Sequence, residues 1–221
     1  MSTSTPRTAL LLGAVGRLGG ELLNGLVAHP GYGRVSVAVE SEQLRSMTPK
    51  LQPFVAGPSG GPWLPLPTAD DVFCCLGDER SYHRRDQAYR AVLESDVAHI
   101  THSAAAGGCR RFVLVAPMAA FLQLAGTGRG FTSTAEAAAA ALGFETIVFV
   151  RPTENDRKRE GTWLQRAAAA WIGTLAHYLT PQQLQPVTSK TVAAAVVGAP
   201  WKLGPGIHVI GAENLQAAAA A

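Results

Sequence analysis

The chain has 221 residues, of which 47% are hydrophobic and 16% charged, and its formal net charge is +3. This composition favours one globular domain, and no run of residues reaches the roughly 18 uncharged apolar positions that a membrane helix needs. The basic residues are scattered in short clusters such as Arg110-Arg111, which argues against nucleic-acid binding, because that function needs a denser basic surface.

Three cysteines are too few for a disulfide framework, and they lack the spacing of a zinc site. We interpret the adjacent Cys74 and Cys75 as small apolar side chains on opposite faces of a buried strand. The N-terminus has no apolar signal region, so we expect a cytoplasmic protein without a bound metal.

Apolar runs alternate with alanine-rich stretches along the chain. Strands are predicted at 8–12, 34–39, 51–56, 71–76, 111–116, 145–150 and 207–210. Helices are predicted at 17–28, 82–106, 133–141, 160–177 and 188–198, and the alanine tail at 217–221 is expected to fray. The alternation predicts a single α/β domain over 1–221, a doubly wound parallel sheet in which 153–205 contribute a small substrate-side cap. Such a sheet binds ligands at the carboxyl edge of its strands.

The strongest motif is a glycine-rich turn that follows the first strand and opens the first helix. Glycine suits this position because the turn is tight, phosphates approach the backbone closely, and the helix packs on the strand. The helix N-terminus offers free N–H groups to an anion. The motif predicts a pyrophosphate site at Gly13, Ala14, Val15, Gly16, Arg17, Leu18 and Gly19.

The second strand ends at Glu40, about 20 residues beyond the turn, where a carboxylate meets the adenosine ribose of a bound dinucleotide. Glu40 would repel the 2′-phosphate of NADP, whereas Arg17 could pair with it. The sequence slightly favours NAD over NADP. A solvated residue at the strand end is the alternative interpretation of Glu40.

Three further segments, 71–77, 110–115 and 142–153, complete a resemblance to the atypical and extended short-chain dehydrogenase/reductases. The chain is similar to small NAD(P)-binding Rossmann-fold proteins such as the Tat-interacting oxidoreductase and the NmrA-like regulators. The resemblance implies that Leu76, Gly77 and Ala116 lie along the cofactor, with Arg151-Pro152 near the nicotinamide. Packing residues without a ligand are the alternative, and the loop 57–61 lacks the acidic residue that relatives place near the adenine.

The catalytic groups of that superfamily are missing. Its members use a serine after the fifth strand and a Tyr-x-x-x-Lys pair, which orient the substrate oxygen and exchange its proton. Here Ala116 and Pro117 stand at the serine positions. The Tyr and Lys positions hold Gly128 and Thr132 in one alignment and Phe131 and Ala135 in the other, and residues 112–150 contain neither tyrosine nor lysine.

Several other residues are candidates to replace the missing groups. Tyr82, His83 and Tyr89 follow the fourth strand, where His83 could face the nicotinamide, although a solvated helix start is the simpler interpretation. The trio Asp96, His99 and His102 shares a predicted helix face without a further metal ligand. Ser133 and Thr134 are predicted helix caps, and Arg157 is a candidate substrate contact.

Two functions remain open at this point. One is a dinucleotide-binding protein without dehydrogenase chemistry, a redox sensor or scaffold, for which Pro117, Met118 and Phe121 supply a suitably apolar site. The alternative is an NAD(P)-dependent oxidoreductase or epimerase with an unorthodox acid or base. The missing catalytic groups favour the first, with a small-molecule substrate or a protein as the further partner. Fold alone cannot decide between them.

Overall fold

The computed structural model describes residues 5–41, 48–77, 88–118, 131, 133–152 and 187–220. The strands within these residues are β1 (Arg7–Leu12), β2 (Tyr32–Val39), β3 (Leu51–Val55), β4 (Asp71–Cys75), β5 (Arg111–Val115), β6 (Thr146–Arg151) and β7 (Gly206–Gly211). The helices are α1 (Gly16–Ala28), α2 (Val97–Ala106), α3 (Thr134–Ala140), α4 (Ser189–Lys202) and α5 (Ala212–Ala220). Each strand begins and ends within two residues of its predicted bounds.

The seven strands form one parallel sheet in the order β3-β2-β1-β4-β5-β6-β7. The chain winds outward from β1 to β3, returns to place β4 beside β1, and then winds the other way to β7. This order confirms the predicted doubly wound α/β fold. A crevice between the carboxyl ends of β1 and β4 is the place where such a topology accepts a ligand.

The sheet separates two apolar cores because successive strand residues point to opposite faces. One core packs strand residues such as Phe73 and Val113 against α1, α4 and α5. The other packs residues such as Cys74 and Phe112 against α2 and α3. Cys75 belongs to the first core, so the expectation that the adjacent cysteines occupy opposite faces is confirmed.

The predicted start of the second helix was wrong. Helix α2 begins at Val97, after a short 3-10 turn at Glu94–Asp96, instead of near residue 82. In the described part of the predicted helix that precedes this turn, Tyr89 forms a bridge with Val39, and Val92 forms one with Gly77. Tertiary pairing with strand ends overrides the helical composition of this stretch.

The alanine-rich tail was expected to fray, but it continues α5 to Ala220. Leu215 on the same helix is fully buried and holds α5 in the core that also contains α4. Alanine has the highest helix propensity, so the helix extends once its first turn is anchored.

The described part of the predicted cap consists mainly of α4, which packs in the core beside α1. The predicted helix at 160–177 and the rest of the cap through residue 186 lie outside the described residues. No helix in the described part of the chain is both long enough and apolar enough to cross a membrane.

Candidate functional site

Close backbone contacts require glycine at two positions in and after the turn between β1 and α1. Gly13 has a φ of +79°, and a Cβ atom there would lie 2.0 Å from the carbonyl oxygen of Cys75, at the end of β4. A Cβ at Gly19 would lie 2.6 Å from the Gly13 carbonyl oxygen. The first glycine therefore lets β1 and β4 approach each other, and the third lets α1 pack on the turn. This is the structural part of the role that the sequence predicts.

The N-cap residue of α1 has an apolar side chain. Val15 occupies the N-cap position, where no side-chain hydrogen bond is formed within the described residues, and the first turn contains no acidic residue. By contrast, Ser133 caps α3 and Thr188 caps α4, each by accepting a backbone N–H at 3.2 Å. The first N–H groups of a helix need acceptors from outside the helix. At α1 an anion in the crevice would supply them.

The residues after β4 extend this edge of the sheet. The Leu76 N–H donates to the carbonyl of Val115 at 2.8 Å, and the Gly77 N–H donates to that of Val92 at 3.1 Å. Leu76 is half-buried and Gly77 is exposed. Both lie at the carboxyl end of β4, next to the Cys75 carbonyl that Gly13 approaches.

Glu40 is not a freely solvated residue at the end of β2. Its backbone N–H donates to the Ala88 carbonyl at 2.9 Å. Its Oε1 accepts the Ser59 hydroxyl at 2.5 Å and the Ser59 backbone N–H at 3.3 Å. The Ser59 oxygen also accepts the Ala91 N–H at 3.1 Å. The carboxylate is thus held by the loop that follows β3.

Arg90 stabilises the loop that follows β3. The Arg90 guanidinium is buried, lies 3.7 Å from the centre of the Trp63 ring, and donates to the carbonyls of Ala56, Gly61 and Pro62. Burial lowers the pKa of Arg90, while the neighbouring Asp96 and Glu40 carboxylates act in the opposite direction. Sequence reasoning missed both Ser59 and Arg90, because neither belongs to a motif.

The carboxyl end of β5 carries no hydroxyl group. The Ala116 N–H donates to the Val150 carbonyl and the Met118 N–H to the Pro152 carbonyl, both at 2.9 Å. Pro117 is exposed and Pro152 is buried. These bonds align the ends of β5 and β6, where Ala116 and Pro117 bring no hydroxyl group.

The two candidate positions for a catalytic tyrosine and lysine are apolar wherever the structure describes them. Phe131 is 50% exposed and lies edge-on against Phe149 at 5.8 Å between ring centroids. Ala135 is partly buried in α3. Gly128 and Thr132, which belong to the other alignment, fall outside the described residues.

A buried ion pair joins the end of β6 to the first turn of α3. Arg151 Nη2 lies 2.7 Å from Glu136 Oε2, and the two side chains are only 1% and 3% exposed. The pair fixes α3 beside the strand end that leads to Pro152. The sequence indicated Arg151 only through the resemblance, and nothing in it indicated Glu136 as the partner.

The remaining candidates that the structure describes do not form a second site. His99 and His102 are exposed on α2, and Asp96 lies before that helix, where its carboxylate accepts the Leu93 N–H at 2.9 Å. Within the described ranges, no three His, Cys, Asp or Glu side chains are placed to hold a metal ion. Tyr89 is buried in the bridge to Val39. The other candidates lie outside the described residues: Tyr82, His83, Phe121 and Arg157.

Solved structures show what this architecture is similar to. The Bordetella bronchiseptica enzyme WbmH in complex with NAD+ aligns with a TM-score of 0.50 and 14% identity, over 91% of this chain and 74% of that one. A UDP-galactose 4-epimerase aligns with a TM-score of 0.50 and 16% identity, over 92% and 76%. The chain has a Rossmann fold. At these identities the likeness confirms the resemblance at the level of the fold, and no family model and no curated protein matches the sequence.

Proposed function

We propose that this chain is a nicotinamide-dinucleotide-binding protein of the short-chain dehydrogenase/reductase type that acts as a redox sensor or scaffold without the usual Ser/Tyr/Lys chemistry. The observation that carries the proposal is the N-terminus of α1, whose N-cap residue forms no side-chain hydrogen bond and which is set in a glycine turn beside the carboxyl end of β4. The backbone N–H groups and the positive end of a helix suit a pyrophosphate. The NAD+ complex of WbmH supports the proposal by showing that a similar fold binds this ligand.

Each part of the proposed site has a defined task. The turn residues from Gly13 to Gly19 bind the pyrophosphate through backbone N–H groups. Glu40 accepts hydrogen bonds from the adenosine ribose, and Leu76 and Gly77 line the path toward the nicotinamide. Ala116 and Pro152 border the nicotinamide end. When bound, the dinucleotide supplies a group that can accept or donate hydride.

The lack of classical chemistry follows from the residues at the nicotinamide end. Proton exchange with a substrate oxygen needs a positioned acid or base, and orienting that oxygen needs a hydrogen-bond donor. Ala116 and Pro117 offer no side-chain donor, and Phe131 and Ala135 offer no titratable group. A site of this kind binds the cofactor and reports its presence or redox state through binding.

The first experiment is a calorimetric titration of the purified protein with NAD, NADH, NADP and NADPH. We expect micromolar binding of at least one form. No binding to any of the four would overturn the proposed site. A substrate screen with the preferred form comes next, and robust turnover of a carbonyl compound or a sugar would favour the alternative enzyme over the sensor.

The substitution Arg17→Glu tests dinucleotide binding separately from the stability of the fold. Arg17 is exposed in the first turn of α1, and a carboxylate there would stabilise the helix while repelling a pyrophosphate. We expect dinucleotide affinity to fall about tenfold or more without a loss of thermal stability. The matched control is Arg34→Glu, the same charge reversal on exposed β2 residue 34. Equal affinities in the two variants would place the ligand elsewhere.

Gly16→Val tests the space that the ligand needs. A valine side chain would occupy the space of the pyrophosphate, so we expect binding to be abolished. Gly16 has a φ of +65°, which also strains a β-branched residue, and the folded state must therefore be checked by thermal unfolding. Gly20→Val is the control, since a Cβ at Gly20 meets nothing within 4 Å. A folded Gly16→Val protein with unchanged affinity would refute the site.

Pro117→Ser tests the lack of chemistry. It restores a hydroxyl after β5, and we expect no turnover because the change supplies no proton donor or acceptor of suitable pKa. Robust turnover from this single substitution would show that an acid acts from another part of the chain.

A further inference from the structure

We infer that Ser59 is a positioning residue that makes the site prefer NAD to NADP, by holding the Glu40 carboxylate in place at the end of β2. The inference rests on the proposed function and deepens it, because it assigns the cofactor preference to a contact between the β2 end and the loop after β3. The contact joins residues 19 positions apart, with a hydroxyl-to-carboxylate distance of 2.5 Å.

The hydrogen-bond directions show that the Ser59 hydroxyl donates its proton to Glu40. The Ala91 N–H donates to its oxygen, so its proton is directed to Glu40 Oε1. The Ser59 backbone N–H donates to the same carboxylate oxygen, and the Ala88 carbonyl accepts the Glu40 backbone N–H. Glu40 is therefore restrained at both its backbone and its side chain.

The loop that carries Ser59 is itself held by Arg90. Gly57 has a φ of +90°, and a Cβ there would lie 2.9 Å from Arg90 Nη1, so the backbone passes directly over the guanidinium. The carbonyls of Gly61 and Pro62 accept from Arg90 at 2.5 and 3.0 Å. Glu40 consequently has no easy route away from the ribose position, because the residue that holds it is anchored on both sides.

The same geometry keeps the buried Arg90 guanidinium away from the ligand. NADP carries a 2′-phosphate that needs a cationic partner, and a fixed carboxylate repels it. Arg90 is fully buried, stacked on Trp63, and its guanidinium donates to backbone carbonyls. Arg90 therefore stabilises the loop and cannot reach a phosphate. The restrained Glu40 carboxylate and the buried Arg90 guanidinium together favour NAD, whose adenosine ribose carries no 2′-phosphate.

The test is a calorimetric comparison of the wild-type protein with Ser59→Ala, using NAD, NADP and NAD that lacks the adenosine 2′-hydroxyl. Loss of one hydrogen bond to a charged group changes affinity by about tenfold. We expect the ratio of NAD to NADP affinity to fall by about that factor in Ser59→Ala. The 2′-deoxy compound should lose less affinity than NAD, since it lacks a hydroxyl that Glu40 accepts. A purely structural role for Ser59 would weaken all three ligands equally.

Two further variants control for folding. Ser59→Thr keeps the hydroxyl and should retain the wild-type ratio, and Ser103→Ala removes a hydroxyl from α2 and should leave it unchanged. If the wild-type protein binds no dinucleotide, the proposed function fails and the inference with it. If it binds NAD but Ser59→Ala keeps the ratio within about twofold, only the inference fails. A wild-type preference for NADP would also overturn it and would assign the 2′-phosphate to Arg17.

Discussion

At the amino edge of the sheet, three strands begin with charged side chains that pair with one another, namely Arg7, Asp71 and Arg111, whereas at the carboxyl edge the residues directly after β1, β4 and β5 are uncharged. Asp71, the first residue of β4, is fully buried and accepts the Tyr32 hydroxyl at 2.7 Å. It also pairs with Arg111 at 3.2 Å and with Arg7 at 3.5 Å. Burial and the adjacent Asp71 carboxylate raise the pKa of Tyr32.

This amino-edge network continues into the helices. Arg7 lies 3.8 Å from the centre of the Trp201 ring and donates to the Pro200 carbonyl, which connects β1 to α4. Arg111 also pairs with Glu145 at 3.5 Å. The region richest in charge thus holds strands and helices together. The region proposed to bind the ligand is marked instead by a glycine turn and by a helix whose N-cap residue forms no side-chain hydrogen bond.

The largest expected effect follows from Asp71→Asn. This substitution leaves two arginines and a tyrosine hydroxyl facing an uncharged amide inside the protein. Removing one partner of a buried ion pair costs about 3–5 kcal/mol of the free energy of unfolding. Urea denaturation measures this loss, while dinucleotide affinity at low temperature should stay unchanged. A large loss of affinity in the folded variant would show that the two edges are coupled and would break the comparison.

A smaller effect is expected at the cap of α3. Ser133→Ala removes the acceptor for the Glu136 N–H and should lower the free energy of unfolding by about 1 kcal/mol. The same loss is expected with and without saturating dinucleotide, because Ser133 caps α3 and the proposed ligand site lies at α1. A loss that disappears on dinucleotide binding would indicate that α3 also contacts the ligand.

The smallest effect concerns His29, which stacks on Trp201 at 5.0 Å and accepts the Gly31 N–H at Nδ1. Burial, followed by the charges of Lys50 and Arg7, lowers the pKa of His29. The unfolded chain therefore takes up a proton that the folded protein resists. Stability should decline as the pH falls below about 6.5, the ordinary value of histidine.

The measurement is thermal unfolding between pH 7.5 and 5. His29→Phe keeps the stacked ring without a titratable group, so this variant should show a flatter pH profile than the wild-type protein. An identical profile in both proteins would assign the pH dependence to other groups.

The strands and the glycine turn could be predicted because their signals are local. Apolar runs marked every strand, and the spacing of Gly13, Gly16 and Gly19 marked the turn. The region around Tyr89 was predicted as helix because its composition is helical, and only contact with β2 shows otherwise. Arg90 could not be found for the same reason, since it donates to a carbonyl 34 residues earlier in the chain.

The charged amino edge was equally hidden from sequence reasoning. Asp71 reads as the polar start of an apolar run, and its partners Arg7 and Arg111 lie 64 and 40 residues away in the numbering. A parallel sheet brings such strand starts together, but which ones become neighbours can be predicted only from the strand order. The order itself depends on which crossover places β4 beside β1, which no local pattern specifies.

The cysteines provide a probe that the protein already contains. All three thiols are buried, and burial raises the pKa of Cys75 and Cys109 to about 12 and that of Cys74 well above its usual value. A thiol-reactive dye can therefore label them only after the surrounding structure opens. Because Cys74 and Cys75 belong to opposite cores, their separate labelling rates would time the opening of the two sides of one sheet.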